Sequence, residues 1–208
     1  MNKTDWDIYY AKSKGISSLT RAYTTSKLLS LIARWAGSRP GLHIAELGGA
    51  GSCFINPIMT QCAPAQYHIY DNNAYGLDLL RSQVTEPNKV SLHNLDILNL
   101  KPDKEFDVVF SVGLIEHFEP MQTLEIVKKH FELARQGGLI VISYPYPTFL
   151  YKISRSLAEL FNLWIFHDER PLKKEEIAAT ILRHGDIVSE EILWPIIFTQ
   201  QALGIIKK

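Results

Sequence analysis

The feature that most constrains the fold is an alternation between short apolar runs and helical patterns. The apolar runs are continuous rather than alternating with polar residues, which is typical of parallel strands buried on both faces. Helical patterns between parallel strands predict a sheet covered by helices on both sides. The apolar runs are His43–Leu47, Tyr67–Tyr70, Val90–Asn94, Phe106–Ser111 and Leu139–Ser143, and the helical patterns are Thr25–Trp35, Phe54–Gln61, Ala74–Gln83, Met121–Ala134 and Lys173–Arg183.

The 208 residues suit a single α/β domain with a full core. Residues 1–40 predict a helical cap, and Ile187–Phe198 with Gln201–Ile206 predict a closing strand pair. An aromatic-rich insertion at residues 144–172 is expected to cover a site for a substrate. Its apolar residues at helical spacing predict a helix with one buried face: Phe149, Leu150, Ile153, Leu157, Leu160, Phe161 and Trp164.

Charge and composition exclude several classes of function. The 22 basic residues balance 22 acidic ones, which argues against a nucleic-acid partner and against attraction to anionic membranes. No stretch approaches the roughly 18 apolar residues of a membrane span, and the first residues lack the apolar core of a signal peptide. Cys53 and Cys62 form no CxxC pair, and no metal-ligand spacing occurs. These features predict a reduced cytoplasmic protein without an integral membrane segment.

A run of small residues follows the first predicted strand, in the stretch LHIAELGGAGSCF. The small residues are Gly48, Gly49, Ala50 and Gly51. They follow Leu47, which is preceded by the acidic residue Glu46. Small side chains allow a ligand to approach the backbone closely, and ligands of open parallel sheets bind beyond the carboxyl ends of the strands. The alternative is a tight strand-to-helix turn that binds nothing.

Further acids favour the ligand hypothesis. Asp71 ends the second apolar run, where a carboxylate can accept both ribose hydroxyls of a nucleoside. Asp96 follows the third run, and the fourth run opens into SVGLIEHF, which contains Glu116. All of these segments are expected at the same edge of the sheet. A single acid at a strand end is common, whereas several in register with a Gly-rich turn are much less so.

This arrangement resembles the class I S-adenosylmethionine-dependent methyltransferases. The first motif of that family is an acid, any residue, and then Gly-x-Gly-x-Gly, and here Glu46, Gly48, Ala50 and Ser52 occupy those places. The resemblance covers about residues 25–208 and implies a Rossmann-like, mostly parallel sheet of seven strands with an antiparallel last strand. It implies S-adenosyl-L-methionine as cofactor and S-adenosyl-L-homocysteine as product. The residues that it implies for cofactor binding are Glu46, Gly48, Gly49, Ala50, Gly51, Asp71, Asn72, Asp96, Ile97, Ser111 and Val112.

Two rival functions remain open. A dinucleotide-dependent oxidoreductase would share the fold, but Glu46 would repel a pyrophosphate, and Cys53 occupies the sixth position of a GxGxxG frame. A non-catalytic cofactor-binding subunit that supports a partner is also possible, since Ala50 and Ser52 depart from the motif. Asp71 and the Glu116–His117 pair argue against the subunit alternative.

On the acceptor side, His117 is the candidate general base, because a neutral imidazole can take a proton from a hydroxyl acceptor. The alternative is that His117 only packs beside the cofactor. Tyr9 and Tyr10 are expected either to form a wall of the site or to anchor the first helix. The expected acceptor contacts are Tyr144, Tyr146, Tyr151 and His167, although the simpler explanation for His167 and Asp168 is a capped turn.

The acceptor itself is predicted to be a small molecule that carries a hydroxyl group. A sugar, a saccharide precursor or an aromatic metabolite would fit. Nucleic-acid amino methyltransferases carry an Asn/Asp-Pro-Pro-Tyr/Phe stretch after the fourth strand, where this chain has SVGLIEHF. A homodimer is a further possibility.

Overall fold

A computed structural model describes residues 4–12, 18–37, 40–102, 105–161, 163–194 and 199–208. Its centre is a seven-stranded sheet in the order β3-β2-β1-β4-β5-β7-β6. Strands β1 to β5 are mutually parallel, and β7 runs antiparallel to both β5 and β6. The strands are β1 His43–Leu47, β2 Gln66–Asp71, β3 Val90–Asn94, β4 Phe106–Val112, β5 Ala134–Pro145, β6 Gly185–Trp194 and β7 Gln200–Lys207. The predicted fold class is confirmed.

Helices cover both faces of this sheet. The described helices are α1 Trp6–Lys12, α2 Ser18–Trp35, α3 Ile55–Cys62, α4 Ala74–Arg81, α5 Pro120–Leu133, α6 Phe149–Leu160 and α7 Lys174–His184, with short 3₁₀ turns at Ile97–Asn99 and Ile115–His117. In the described part of the chain, none of these helices has both the length and the apolar character needed to cross a membrane. The last four residues of the predicted strand Ile187–Phe198 lie outside the described residues.

The continuous apolar runs are explained by two separate cores, one on each face of the sheet. Successive residues of a strand point to opposite faces, so that Val141 belongs to the core shared with α2, α3 and α4, whereas Ile140 and Ile142 belong to the core shared with α5 and α7. In β1, Ile44 belongs to the first core, and Ala45 and Leu47 belong to the second. Because both faces are buried, every strand position favours an apolar residue.

The strand order places a crevice beside the Gly-rich turn. From β1 the chain proceeds outwards through β2 and β3, and it then returns to form β4 on the other side of β1. The carboxyl ends of β1 and β4 therefore lie next to each other, with Glu46 in register with Phe110. This reversal is the position at which open α/β sheets bind ligands.

The expectation of a buried face on α6 is wrong for most of its residues. Six of the seven apolar residues in that pattern are between 43% and 77% exposed, and only Trp164 is nearly buried, at 9%. The face of α6 that packs on the domain instead carries Tyr151, which is 1% exposed. Helical spacing determines which residues share a face, but it does not determine which face turns inwards. Here hydrogen bonds from Tyr151 and Arg155 to Glu169 fix the orientation.

This arrangement predicts different responses to polar or truncating changes in α6 and in the sheet. Leu157→Ser on α6 should change the free energy of unfolding by less than about 0.5 kcal/mol, since Leu157 is already 52% exposed. Ile140→Ala in β5 should cost about 2–5 kcal/mol, because Ile140 is fully buried and leaves a cavity. Urea unfolding of both variants measures the difference. A loss above about 2 kcal/mol for Leu157→Ser would mean that the apolar face of α6 is covered.

Candidate active site

The Gly-rich turn after β1 lies against the turn after β4. Gly48 has φ +76°, and a Cβ atom built on it would lie 2.7 Å from Cδ1 of Leu114. Gly113, just before Leu114, has φ +72°. Positive φ favours glycine at both positions, and the missing Cβ of Gly48 lets its turn approach Leu114 more closely than a side chain would allow. The Gly48 N–H donates to the Tyr70 carbonyl at 2.8 Å, which fixes the turn to the end of β2.

Asp71 organises the first of two adjoining cavities. Its two carboxylate oxygens accept backbone N–H groups of Ala50 at 2.9 Å and Asn73 at 2.8 Å. Burial raises the pKa of Asp71, and these backbone hydrogen bonds oppose that rise. Asp71 lines a cavity of about 630 Å³ together with Asn72 and Asp96. Each carboxylate oxygen has more than one lone pair, so Asp71 can still accept hydrogen bonds from a ligand.

Glu46 lies in the wall of the second cavity, which measures about 460 Å³. It is 3% exposed, and its Oε2 accepts hydrogen bonds from Tyr67 and, at 2.8 Å, from Ser52. Burial raises the pKa of Glu46 to about 8, in spite of the two hydrogen bonds, which lower it. Glu46 therefore binds its proton at neutral pH unless a ligand brings positive charge close to it.

His117 and Asp168 form a hydrogen-bonded pair where the two cavities meet. His117 Nδ1 lies 3.0 Å from Asp168 Oδ1, and the hydroxyl of Thr4 donates to the same oxygen. Burial lowers the pKa of His117, and the neighbouring Asp168 opposes this shift. Burial also acts to raise the pKa of Asp168, but hydrogen bonds from Thr4 and His117 outweigh it and hold that pKa below the usual value. The imidazole is thus neutral at neutral pH, with Nδ1 facing a carboxylate and Nε2 left as the basic nitrogen.

Helix α1 contributes residues to the walls of both cavities. Trp6, Tyr10 and His117 line both cavities. The ring of Trp6 meets the His117 ring edge to face at 4.9 Å between centroids. Asn73 Nδ2 donates to Asp7 at 2.7 Å and ties α1 to the start of α4. The N-terminal segment therefore forms a wall of the site. This agrees with the first of the two alternatives given for Tyr9 and Tyr10, both of which line the smaller cavity.

A second group of acids lies in the wall of the smaller cavity. Glu116 is 1% exposed and Glu169 is 9% exposed. Donor atoms of Glu116, His117 and Glu169 all lie within 4.8 Å of one another. Glu169 accepts a hydrogen bond from Tyr151, whereas Oε2 of Glu116 has no hydrogen-bond partner among the described residues. Burial raises the pKa of Glu169 to about 7 and the pKa of Glu116 well above its ordinary value, and repulsion from Glu169 adds to the rise at Glu116.

The structure gathers most of the residues expected to bind the cofactor. Those that line the two cavities are Glu46, Gly48, Gly51, Asp71, Asn72, Asp96 and Val112. Gly49, Ala50, Ile97 and Ser111 do not line either one. Ser111 is fully buried and bonds to His130 at 2.9 Å, and a Cβ on Gly49 would meet Ile69 at 2.6 Å. These residues support the turn and the sheet rather than facing the cavities.

The residues expected to contact an acceptor lie elsewhere. Tyr144, Tyr146, Tyr151 and His167 line neither cavity. Tyr144 is fully buried, and Tyr151 acts as the hydrogen-bond donor to Glu169. The cavity walls are instead formed by other aromatic and apolar residues, namely Trp6, Tyr9, Tyr10, Ile165 and Phe166.

Glu169 escaped the sequence analysis as a functional candidate, and Asp168 entered it only as half of a candidate pair with His167. Both occur in the stretch FHDER, where a capped turn was the simpler explanation. Asp168 reaches His117 across 51 positions of sequence. The one available signal was the clustering of a histidine with two acids at the end of the aromatic insertion.

Comparison with known proteins identifies the central part of the chain. A family model described as a methyltransferase domain matches residues 44–138. Residues 44–138 belong to the methyltransferase domain family. The matched segment runs from β1 into β5 and contains Glu46, Gly48, Asp71 and His117, so the resemblance to class I methyltransferases is confirmed. No curated protein matches the sequence.

Solved structures show the same fold over nearly the whole length of the chain. Magnesium protoporphyrin IX methyltransferase from Synechocystis PCC 6803 with bound SAH is 13% identical, with a TM-score of 0.75 and coverage of 99% of this chain and 96% of that one. A chain of the complex between the Haloferax volcanii Trm112 methyltransferase activator and a methyltransferase is 13% identical, with a TM-score of 0.75 and full coverage (100%) of both chains. Burkholderia thailandensis 1,6-didemethyltoxoflavin-N1-methyltransferase is 14% identical, with a TM-score of 0.69 and coverage of 98% and 86%.

The burial of Glu46 predicts a pH-dependent stability. Because the folded-state pKa is raised from 4.5 to about 8, the stability that comes from the bound proton is complete below pH 4.5 and is lost as the pH rises through about 8. Glu46→Gln does not titrate and keeps an acceptor for Ser52. Between pH 5.5 and 8.5, its free energy of unfolding should rise relative to that of the native protein by an amount on the order of 3 kcal/mol.

Urea unfolding at the two pH values measures this difference. The exposed Glu125→Gln serves as a matched control and should show no pH-dependent gain. Parallel stability curves for Glu46→Gln and the native protein would show that Glu46 ionises normally in the fold.

Proposed function

We propose that this methyltransferase transfers the methyl group of S-adenosyl-L-methionine to a hydroxyl oxygen of a small-molecule acceptor, with His117 as the general base. The observation that carries the proposal is the His117–Asp168 pair at the junction of the two cavities. One cavity has the acids and small residues that suit a nucleoside, and the other has aromatic walls that suit an acceptor. The products are the methyl ether of the acceptor and S-adenosyl-L-homocysteine.

The first cavity fits the cofactor by its chemistry. Asp71 is available to accept ribose hydroxyls, and Asp96 lies in the same cavity, where it would hold the adenine end. Gly48 lines both cavities, and its missing Cβ lets the turn after β1 pack directly against Leu114 in the turn after β4. Glu46, in the second cavity, would hold the amino group, and a bound cation would favour its ionised form. When bound, the cofactor supplies a methyl carbon that its sulfonium group already activates.

His117 is placed to accept the proton of the hydroxyl group. As the C–O bond forms and the bond from the methyl carbon to sulfur breaks, the hydroxyl proton passes to Nε2 of His117. Asp168 then stabilises the imidazolium through Nδ1, at 3.0 Å. The lowered pKa of His117 keeps the base neutral, and therefore active, throughout the neutral range.

The acceptor cavity supports a small molecule with a flat face. Trp6, Tyr9 and Phe166 surround it, with ring centroids 5.7 Å apart for Trp6 and Tyr9 and 5.2 Å apart for Tyr9 and Phe166. Aromatic walls suit an aromatic metabolite or the apolar face of a sugar. A cavity of about 460 Å³ has the size of a small-molecule site.

The remaining expectations about partners are proposals as well. Balanced charge supports the absence of a nucleic-acid partner, and the cysteine pattern supports a cytoplasmic protein. A protein partner remains an alternative to a homodimer, since one structural neighbour was crystallised in complex with a methyltransferase activator. The His117–Asp168 pair argues against a non-catalytic role, because an imidazole held by a carboxylate is a typical arrangement of a general base.

The first prediction for this function concerns the choice of cofactor. Saturating S-adenosyl-L-homocysteine should raise the melting temperature by mass action, whereas the same concentration of NAD should not. Asp71→Asn should lose most of the shift, because an amide cannot accept hydrogen bonds at both positions. Differential scanning fluorimetry gives the measurement. An NAD shift as large as that of S-adenosyl-L-homocysteine would favour the oxidoreductase alternative.

The second prediction separates the base from the residue that positions it. His117→Ala should lower kcat by about 10²–10⁴ and leave cofactor affinity within a few fold of the native value. The native pH–rate profile should have an acid limb below pH 6.5, the ordinary imidazole value, because the pKa of His117 is lowered. Asp168→Asn should retain the hydrogen bond but remove the charge. Its limb should therefore move to still lower pH, with a reduced rate.

Initial rates with a labelled methyl donor between pH 5 and 8 test this assignment. His117→Ala should lose the acid limb altogether. If cofactor affinity and turnover fall together in His117→Ala, His117 serves the cofactor cavity and not the proton transfer.

A further inference from the structure

The described part of the chain contains one buried acidic pair that the proposed methyl transfer does not use. Glu116 and Glu169 line the acceptor cavity on either side of His117, and neither binds the cofactor in the proposal above. Ionised carboxylates are rarely buried without a partner, because desolvation strongly disfavours the charge. A binding partner for these two carboxyl groups is therefore to be sought in the acceptor cavity.

Internal contacts leave this pair incompletely satisfied. Oε2 of Glu116 is buried and has no hydrogen-bond partner among the described residues. Glu169 Oε1 accepts from Tyr151, and the nearest guanidinium nitrogen of Arg155 is 4.0 Å away. Arg155 Nη1 donates at 2.9 Å to the backbone carbonyl of Glu169 instead. The described part of the chain thus leaves hydrogen-bonding capacity of these two carboxyl groups unused.

We infer that the acceptor carries a protonated nitrogen close to its hydroxyl group, and that Glu116 and Glu169 bind this nitrogen while His117 takes the hydroxyl proton. The inference rests on the proposed function and names the class of substrate, which is hydroxylated amines, including amino sugars. Donor atoms of the three residues lie within 4.8 Å of one another, so one small cationic group reaches both carboxylates and remains beside the imidazole.

The surroundings favour an organic cation over a metal ion. Trp6 and Phe166 lie against His117, with ring centroids at 4.9 Å and 5.9 Å, and both rings line the same cavity as the two carboxylates. Aromatic faces attract ammonium groups through their quadrupoles.

The protonation of both carboxyl groups would change when such a ligand binds. Burial raises the pKa of Glu116 and of Glu169, so the empty site holds protons that a cation would displace. The groups beside the pair include Asp168, His117, Tyr151 and two arginines. Arg155 is oriented mainly by Glu159 and the Glu169 backbone. Arg170 donates its backbone N–H to the Glu116 carbonyl, while its guanidinium donates to Glu176 and Thr123.

The test uses matched pairs of amines and neutral isosteres. The probes are 2-hydroxybenzylamine against 2-hydroxybenzyl alcohol and glucosamine against glucose. Isothermal titration calorimetry is performed on the full chain saturated with S-adenosyl-L-homocysteine. In at least one pair the amine should bind ten-fold or more tightly than its neutral isostere. Glu116→Gln and Glu169→Gln should each reduce that ratio by at least five-fold, whereas Glu125→Gln on the exposed side of α5 should leave it unchanged.

Both glutamine variants preserve the shape of the side chain, and thermal unfolding checks that each is folded. If one does not fold, the other carries the test. Equal binding of amine and isostere in both pairs, or no binding of either amine, would overturn the inference. So would a rise in melting temperature with Zn²⁺ or Mg²⁺ alone that is lost in Glu116→Gln, since it would assign the pair to a metal.

The titration also distinguishes failure of this inference from failure of the proposed function. If S-adenosyl-L-homocysteine does not bind, the methyltransferase proposal fails. If it binds normally and the amine preference is missing, only the acceptor class is wrong, and neutral hydroxyl acceptors remain.

Discussion

The structure depends on the reversal of strand order between β1 and β4. Because β2 and β3 lie on one side of β1 and β4 lies on the other, the turns after β1 and β4 adjoin without a helix between them. The polar residues at the strand ends follow from that arrangement. Glu46 lies within β1, Asp71 ends β2, and His117 lies in the 3₁₀ turn after β4. The missing Cβ of Gly48 allows the two turns to come so close.

The sequence predicted this framework well, since the signals for it are local. Continuous apolar runs determine parallel strands, and the acids at their ends then fall at a common edge. Residues that reach the site from distant parts of the chain could not be predicted in the same way. Asp168, Glu169 and Trp6 come from segments with no strand pattern of their own, and their roles depend on contacts such as the one between Asp168 and His117. For Asp168 the sequence favoured a local explanation, a capped turn, over its role as a candidate site residue.

The error in α6 has a different physical cause. Its apolar residues do share a face, as the helical spacing predicted, but that face points to solvent. The other face is held by a polar network in which Tyr151, Arg155 and Glu169 participate. A periodicity argument assumes that the most apolar face is the buried one. That assumption fails where polar side chains of the opposite face have fixed partners in the domain.

The apolar packing on both faces of the sheet offsets the destabilising effect of the buried acids. Glu46, Asp71, Glu116 and Glu169 all have a pKa raised by burial, so each opposes folding at neutral pH relative to an uncharged side chain of similar shape. A fold tolerates such groups only where apolar packing elsewhere is sufficient, and here it covers both faces of the sheet. Sites that place several desolvated acids together are typical of function rather than of packing. A ligand that brings positive charge or hydrogen-bond donors to these acids removes part of their cost. The free energy that these acids cost the empty protein is partly recovered on binding, and it therefore contributes to the affinity for the ligand.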